Sequence, residues 1–231
     1  MCKNGTYNSD PNNPDGCSPC FCFGRSDVCS SAQGFFKSYI TANFSRNNNY
    51  KIDQSGITRL TNLDYGDTFE INFTPNSFIK LTLEENFKGN QLHSYGQLLE
   101  MTMTFADVDS LNATWNVTLT NNKLQKAFFN IVPQPSLSST QYHARLHEHY
   151  TLNNLTAYEL QSILVDIESV EIHGSFKANG SVTIKVQLAS ASKSSDGEEV
   201  GYVENCTCPN NYTELSCGFC NSGKADRILM N

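Results

Sequence analysis

The cysteines of this 231-residue chain are confined to its two ends. Residues 30–205 contain none. The cysteines before that stretch are Cys2, Cys17, Cys20, Cys22 and Cys29, and those after it are Cys206, Cys208, Cys217 and Cys220. A disulfide framework that stabilises a small fold would be spread through the chain. The pattern therefore predicts one compact cysteine-free domain inserted into a cysteine-rich module, whose two halves remain at the ends.

Charge and hydropathy exclude several classes of partner. The formal net charge is −7, and the 16 lysines and arginines do not cluster, so the sequence predicts no binding to nucleic acid or to an anionic membrane surface. No apolar run is long enough to span a membrane. Met1 is followed by Cys2-Lys3-Asn4 without the apolar segment of a secretory signal. Because the cysteines favour secretion, we expect an internal or partial piece of a larger secreted protein.

Acceptor sequences for N-linked glycans are frequent and support an extracellular setting. The candidate glycosylation sites are Asn4, Asn43, Asn112, Asn116, Asn154, Asn179 and Asn211. Asn72 and Asn205 also begin acceptor tripeptides, but Pro75 and Cys206 weaken them. Within residues 110–120, apolar side chains alternate with polar ones, which predicts a half-buried strand. Asn112 and Asn116 then share the solvent face, where a glycan is tolerated.

The same period-two alternation recurs along the cysteine-free region. It predicts further strands over residues 69–73, 99–105 and 182–188, and a shorter apolar strand over 127–132. Clusters of Asn, Gly, Asp and Pro separate these segments and predict turns. Many short strands with little helix indicate an all-β fold, an antiparallel β-sandwich of jelly-roll type.

One short helix is predicted after Leu155. Thr156 and Glu159 form a capping box, in which each side chain accepts a hydrogen bond from the backbone of the other residue. Leu160, Ile163, Leu164 and Ile167 follow at helical spacing. The pattern predicts a helix that covers one edge of the sandwich rather than a cofactor site.

The histidines are the one candidate catalytic or metal-binding group. His143, His147 and His149 share parity and would project from one strand face. Arg145 stands among them and opposes a cation, and the spacing is not that of the H-E-x-x-H zinc motif. No nucleophile motif, phosphate loop or acid–base pair is present. We therefore predict that the protein is not an enzyme and has no catalytic, cofactor-binding or metal-binding residues.

The cysteine clusters carry a resemblance to a known family. Cys20-Phe21-Cys22-Phe23-Gly24 through Cys29 resembles the opening of a laminin-type EGF-like module. The closing half follows the cysteine-free stretch, at residues 206–220. This split is similar to the arrangement in which a laminin IV type A domain interrupts an EGF-like module. Asn211 and Glu214 stand where that module usually has glycines.

The centre of the chain resembles the same family. Phe87-Lys88-Gly89 and Ser94-Tyr95-Gly96 match its "F-x-G" and "S-Y-G-G" stretches, although Gln97 replaces the second glycine. Residues 142–176 resemble its later strand, helix and strand. The resemblance thus implies a laminin IV type A β-sandwich over residues 30–205. Residues 1–19 would end a preceding EGF-like module, and residues 20–29 and 206–231 would be the two halves of the split one, the second half truncated.

The resemblance also implies a disulfide pairing. The implied bonds are Cys2–Cys17, Cys20–Cys29, Cys22–Cys206 and Cys208–Cys217. Cys220 would be unpaired in this chain, with its partner beyond Asn231. Two alternatives stay open: a free or intermolecular thiol, and a zinc site built from Cys20, Cys22, Cys206 and Cys208.

The function that the resemblance implies is structural. We expect a secreted, glycosylated segment of a basement-membrane protein that supports matrix assembly and cell adhesion. Its expected partners are other extracellular-matrix proteins or cell-surface receptors, with glycans as further ligands. A carbohydrate-binding β-sandwich is the alternative, since such folds often bind sugars. A secreted metalloenzyme that uses the histidines is a third hypothesis.

Overall fold

A computed structural model of the chain describes residues 2–9, 16–44, 50–62, 66–83, 85–105, 113–133, 141–194 and 197–220. It divides into two compact units. The terminal unit comprises residues 1–38 and 191–231, and the central unit comprises residues 39–190. We describe each unit separately.

The secondary structure is almost entirely β. The strands are β1 (Thr6–Asn8), β2 (Cys17–Pro19), β3 (Cys29–Ser31), β4 (Phe35–Thr41), β5 (Tyr50–Asn62), β6 (Thr68–Leu83), β7 (Leu98–Phe105), β8 (Ala113–Asn121), β9 (Lys126–Pro133), β10 (Gln141–Arg145), β11 (Ile167–Phe176), β12 (Gly180–Ser192), β13 (Glu199–Val200), β14 (Glu204–Cys206), β15 (Tyr212–Thr213) and β16 (Phe219–Cys220). The α-helix in the described ranges is α1 (Ala157–Leu164), and short 3-10 turns lie at Cys22–Gly24, Glu85–Phe87, Leu92–Ser94 and Glu148–Tyr150.

The sheet of the central unit is antiparallel and closes on itself. Hydrogen-bonded neighbours follow the order β12, β7, β10, β9, β8, β11, β6, and β6 pairs again with β12. β5 lies beside β6 along nearly its whole length. The predicted all-β, antiparallel sandwich class is confirmed, with the added finding that its two layers are joined into one continuous sheet.

Strand β6 makes this closure possible by changing partners midway. Its first half pairs with β12 at Phe69–Phe73, and its second half pairs with β11 at Ser77–Leu83. Pro75 and Asn76 lie between the halves, and Asn76 has a left-handed backbone with φ of +64°. Since proline cannot donate to a ladder, this interruption lets one strand turn the corner between two layers.

The core follows the predicted alternation. Four of the predicted strands lie wholly within the described residues, and their inward-facing side chains are buried. These side chains are Phe69, Ile71 and Phe73 on β6, Leu99, Met101 and Met103 on β7, Ala127, Phe129 and Ile131 on β9, and Val182, Ile184, Val186 and Leu188 on β12. Trp115, Val117 and Leu119 of β8 are buried as well, but Thr118 and Thr120, on the face predicted to be exposed, are also buried. Burial of a large apolar side chain stabilises a fold by roughly 1.5–3 kcal/mol, so these rows supply most of the driving force.

Helix α1 begins as predicted. The Thr156 hydroxyl accepts a hydrogen bond from the Glu159 N–H, and the Glu159 carboxylate accepts one from the Thr156 N–H at 2.8 Å. The hydrogen bonds that the carboxylate accepts from the N–H and the hydroxyl of Thr156 lower the pKa of Glu159. Leu160, Ile163 and Leu164 are buried. The assignment of Ile167 to the helical stripe is wrong, because the helix ends at Leu164 and Ile167 starts β11, where it exchanges two backbone hydrogen bonds with Gly89.

The terminal unit has small antiparallel ladders and its own apolar cluster. β1 pairs with β2, β3 with β14, β15 with β16, and β13 with the start of β4. The cluster contains Ala32, Phe35, Ala191, Tyr202 and Val203. Residues from before and after the central unit therefore pack together in the terminal unit.

Gly174 of β11 gives a direct test of this packing. It pairs with Trp115 of β8, and a Cβ atom added to it would lie 2.7 Å from Cη2 and 2.8 Å from Cε3 of that indole. The ring is held in turn by edge contact with Phe176. We expect Gly174→Ala to lower the free energy of unfolding by about 1–3 kcal/mol through overpacking. Denaturant titration followed by Trp115 fluorescence would measure it.

The matched control is Ser175→Ala, on the exposed face of the same strand, for which we expect a change within about 0.5 kcal/mol. Equal stability of the two variants would contradict the packing described for Trp115.

Candidate functional site

The disulfides of the terminal unit are the first candidate site. The structure contains the bonds Cys2–Cys17, Cys20–Cys29, Cys22–Cys206 and Cys208–Cys217, with Cα–Cα distances of 5.6, 5.7, 5.8 and 5.4 Å. These are the pairs that the resemblance implies. A zinc site at Cys20, Cys22, Cys206 and Cys208 is contradicted, because all four sulfurs are used in disulfides and no thiolate remains to bind a metal.

The Cys22–Cys206 bond joins residues 184 positions apart. A short antiparallel ladder accompanies it: Cys206 pairs with Cys29, Asn205 with Ser30 and Glu204 with Ser31. The Ala32 N–H also donates to the Val203 carbonyl at 2.8 Å. The chain therefore leaves towards the central unit and returns from it through adjacent, hydrogen-bonded strands.

Glu204 makes a buried contact of the terminal unit that the sequence did not predict. Its side chain is buried, with 4% exposure, and its two carboxylate oxygens accept the N–H groups of Phe21 and Cys22 at 3.0 and 3.1 Å. These donors belong to the start of the 3-10 turn at Cys22–Gly24. Nothing in the local composition marks this glutamate, because its partners are backbone groups 182 and 183 residues away in sequence.

Burial determines the proton affinity of Glu204. Removal from water raises the pKa of its carboxyl above the ordinary value, although the hydrogen bonds from Phe21, Ser216 and Cys22 oppose the shift. The carboxylate therefore supplies the turn with acceptors for two N–H groups that would otherwise be buried without partners.

The closing half of the terminal unit is held to the opening half by Arg25. Its guanidinium donates to the Cys217 carbonyl at 2.6 Å and stacks over the Tyr212 ring at 3.9 Å. Glu214, which stands where the resembled module has glycine, adopts a left-handed backbone with φ of +72°. This position therefore has the left-handed backbone that glycine would adopt with less strain than glutamate.

The residues of the two family motifs in the central unit form hydrogen bonds to distant segments of that unit. Gly89, with φ of +74°, exchanges backbone hydrogen bonds with Ile167 at 2.8 and 3.0 Å. Gly96, with φ of +75°, donates to the Leu146 carbonyl. Tyr95 is buried and its hydroxyl donates to the Glu148 carboxylate at 2.5 Å. These contacts attach the two motifs to Ile167 at the start of β11 and to Leu146 and Glu148 after β10.

The three histidines do not share a strand face. β10 ends at Arg145, so only His143 lies on it, whereas His147 caps the 3-10 turn that contains His149. The prediction of a common face is wrong because a strand parity was continued past the strand's end. Burial and the Arg145 charge lower the pKa of His143.

His147, Glu148 and His149 do form a local group. The His147 Nδ1 atom lies 3.3 Å from a Glu148 carboxylate oxygen, and their ligand atoms with those of His149 are within 4.8 Å of one another. The His147 Nδ1 accepts the His149 N–H at 3.4 Å, and the His147 ring stacks on Tyr95. These contacts hold the turn in place within the central unit.

The candidate glycosylation sites that fall in described residues are all exposed. They are Asn4, Asn43, Asn116, Asn154, Asn179 and Asn211. Asn112 lies outside the described residues. Cys220 ends β16, and its expected lack of a partner stays a prediction. In the described ranges, no helix has the length and apolar character needed to cross a membrane.

The Glu204 carboxyl predicts a pH dependence of the terminal unit. Because the folded-state pKa is raised, the folded state holds the proton more tightly, and the stability contribution falls as pH rises through that pKa. We expect the advantage of the wild type over Glu204→Gln to grow between about pH 7 and about pH 4. Amide hydrogen exchange in β3 and β14, corrected for intrinsic rates, measures this difference.

Glu199→Gln is the matched control, since its exposed carboxylate accepts a single backbone N–H, from Gly34. An advantage of the wild type that shrinks on acidification would contradict the proposed burial of Glu204.

Comparison with known proteins identifies the family. The model of the Laminin B (Domain IV) family matches residues 80–204. Laminin subunit gamma-1 of Danio rerio is 29% identical over 224 residues, covering 93% of this chain and 14% of that protein. Its Homo sapiens counterpart is 29% identical over 231 residues, covering 91% and 14%. Laminin subunit alpha-1 of Mus musculus is 24% identical over 255 residues, covering 96% and 8%.

Among solved structures, the L4b domain of human laminin alpha-2 is similar, with a TM-score of 0.45 and 13% identity, over 67% of this chain and 97% of that chain. A family 11 carbohydrate-binding module from Clostridium thermocellum has a TM-score of 0.39 and 13% identity, over 66% and 95%. The chain spans only about a seventh of the gamma-1 subunits that it matches. The chain belongs to the Laminin B (Domain IV) family.

Proposed function

We propose that this chain is a non-enzymatic structural segment of a laminin-like extracellular-matrix protein. In this proposal, residues 30–205 form a laminin IV domain inserted into a split EGF-like module, of which residues 20–29 and 206–231 are the two halves. Residues 1–19 end a preceding module. The segment lies in basement membrane, supports matrix assembly and cell adhesion, and meets other matrix proteins or cell-surface receptors.

The Cys22–Cys206 bond is the observation that carries the proposal. It joins the 3-10 turn at Cys22–Gly24 to β14, which itself pairs with β3, and its Cα atoms are 5.8 Å apart. A covalent path therefore runs from the opening half of the terminal unit to its closing half without passing through the central unit. A protein built as a row of modules needs such a path if an inserted domain is not to interrupt it.

The remaining predictions from the sequence fit this role. Cys220 would pair with a cysteine of the longer protein, and the seven acceptor asparagines would carry glycans in the secretory pathway. Structural disulfides form and persist mainly in oxidising compartments.

The two other hypotheses have less support. The metalloenzyme hypothesis needed three histidines on one face, and the structure separates His143 from His147 and His149. Carbohydrate binding stays a prediction. Glycan-array binding that survives enzymatic removal of the protein's own glycans would favour it.

Single-molecule stretching tests the covalent path. When the protein is pulled from its two termini, the Cys22–Cys206 bond excludes the residues between the two cysteines from the applied force. A separation of 184 residues corresponds to roughly 650 Å of extended chain. We expect no length increment of that size under non-reducing conditions, and its appearance after a thiol reductant is added or in Cys22→Ser/Cys206→Ser.

Cys20→Ser/Cys29→Ser is the matched control. Its loop spans 9 residues, so its loss releases only about 30 Å. A length increment near 650 Å from the oxidised wild type would overturn the proposal.

A further inference from the structure

Asn116 occupies an unusual place for a glycan acceptor, because it lies in the middle of a sheet rather than on a turn. It is exposed on the outer face of β8, where it pairs with Asn130 of β9 on one side and with His173 of β11 on the other. Its neighbours in sequence, Trp115 and Val117, point into the core. Any group attached to Asn116 must therefore leave over the outer surface of these strands.

The side chains beside Asn116 on β11 and β6 are polar and pair with one another. On β11, His173 lies 3.6 Å from the Glu171 carboxylate, and Lys80 of β6 reaches the same carboxylate at 2.9 Å. These groups pair with each other and offer little apolar surface.

On the β9 side of Asn116, the described side chains are apolar and partly exposed to solvent. Phe128 and Val132 flank Asn130 on β9 and are 36% and 45% exposed. In an antiparallel pair, such diagonal neighbours lie roughly 7–8 Å from the residue across the ladder. Leu152, which is 55% exposed, stands beside Phe128 and donates its N–H to the Phe128 carbonyl at 2.8 Å. We call Phe128, Val132 and Leu152 the apolar strip.

An uncovered group of large apolar side chains on a sheet face needs an explanation, since such patches promote association. The acceptor tripeptide Asn116-Val117-Thr118 places a sugar at the edge of the strip, and the pyranose rings and acetyl methyl groups of an N-glycan have apolar faces that stack on aromatic and aliphatic side chains. Asn130, between Phe128 and Val132, adds an amide to the same surface.

We propose that the N-linked glycan on Asn116 folds back over the apolar strip and shields it from solvent and from other molecules. The proposal rests on the extracellular setting proposed above, because N-glycans are added in the secretory pathway. It assigns Asn116 a structural role that the exposed acceptors at turns do not share.

The test begins with protein secreted from mammalian cells. Glycopeptide mass spectrometry reports occupancy at each acceptor, and nuclear Overhauser effects are sought between glycan acetyl protons and the Phe128 ring. Asn116→Gln is then compared with Asn179→Gln, whose acceptor lies in the turn between β11 and β12. We expect Asn116→Gln alone to raise the fluorescence of an apolar dye by roughly threefold and to promote self-association.

A further variant and an enzymatic treatment keep the test decisive. Thr118→Val removes the acceptor tripeptide while Asn116 stays, and enzymatic glycan removal from the folded wild type avoids any folding defect. Both should reproduce the dye binding, and Phe128→Thr/Val132→Thr in the Asn116→Gln background should abolish it.

The outcomes separate this inference from the proposed function. Occupied acceptors elsewhere with Asn116 unmodified would overturn the shielding role alone, and so would unchanged dye binding after glycan removal. A wild type that self-associates through the strip with its glycan in place would also overturn it, in favour of a second copy as the occupant. A protein with no glycan at any acceptor would contradict the extracellular function itself.

Discussion

The disulfide between Cys22 and Cys206 is the constraint on which the rest of the structure depends. It closes a loop of 184 residues with a Cα–Cα distance of 5.8 Å. In the chain-entropy model, a loop of this length is worth about 5 kcal/mol. The β3–β14 ladder and the buried carboxylate of Glu204 act at the same place. Together they require the residues in between to leave and return at a single point.

The two units of the chain are stabilised by different interactions. The central unit derives its stability from apolar rows that face inward along each strand, with α1 capped by Thr156 and Glu159. The terminal unit has a small core and relies on disulfides and specific polar contacts, among them Arg25 on Cys217 and Tyr212. Small modules of this kind commonly depend on disulfides, because they cannot bury enough apolar surface.

Short sequence patterns predicted the features that depend on residues close to each other in sequence. Period-two alternation located β7, β8, β9 and β12, and the capping box located the start of α1. Features that depend on distant contacts were missed. Glu204 is buried by backbone donors of the opposite half of the module. The partner change within β6 depends on which strands reach it. Ile167 and His147 were misplaced because a periodicity was extended beyond the end of its element.

Non-reducing peptide mapping of the secreted protein by mass spectrometry tests the central claim most directly. We expect a cross-linked peptide that contains Cys22 and Cys206, accompanied by the Cys20–Cys29 and Cys208–Cys217 bonds. Local bonds between Cys20 and Cys22 or between Cys206 and Cys208, with no peptide that joins the two ends of the chain, would contradict it.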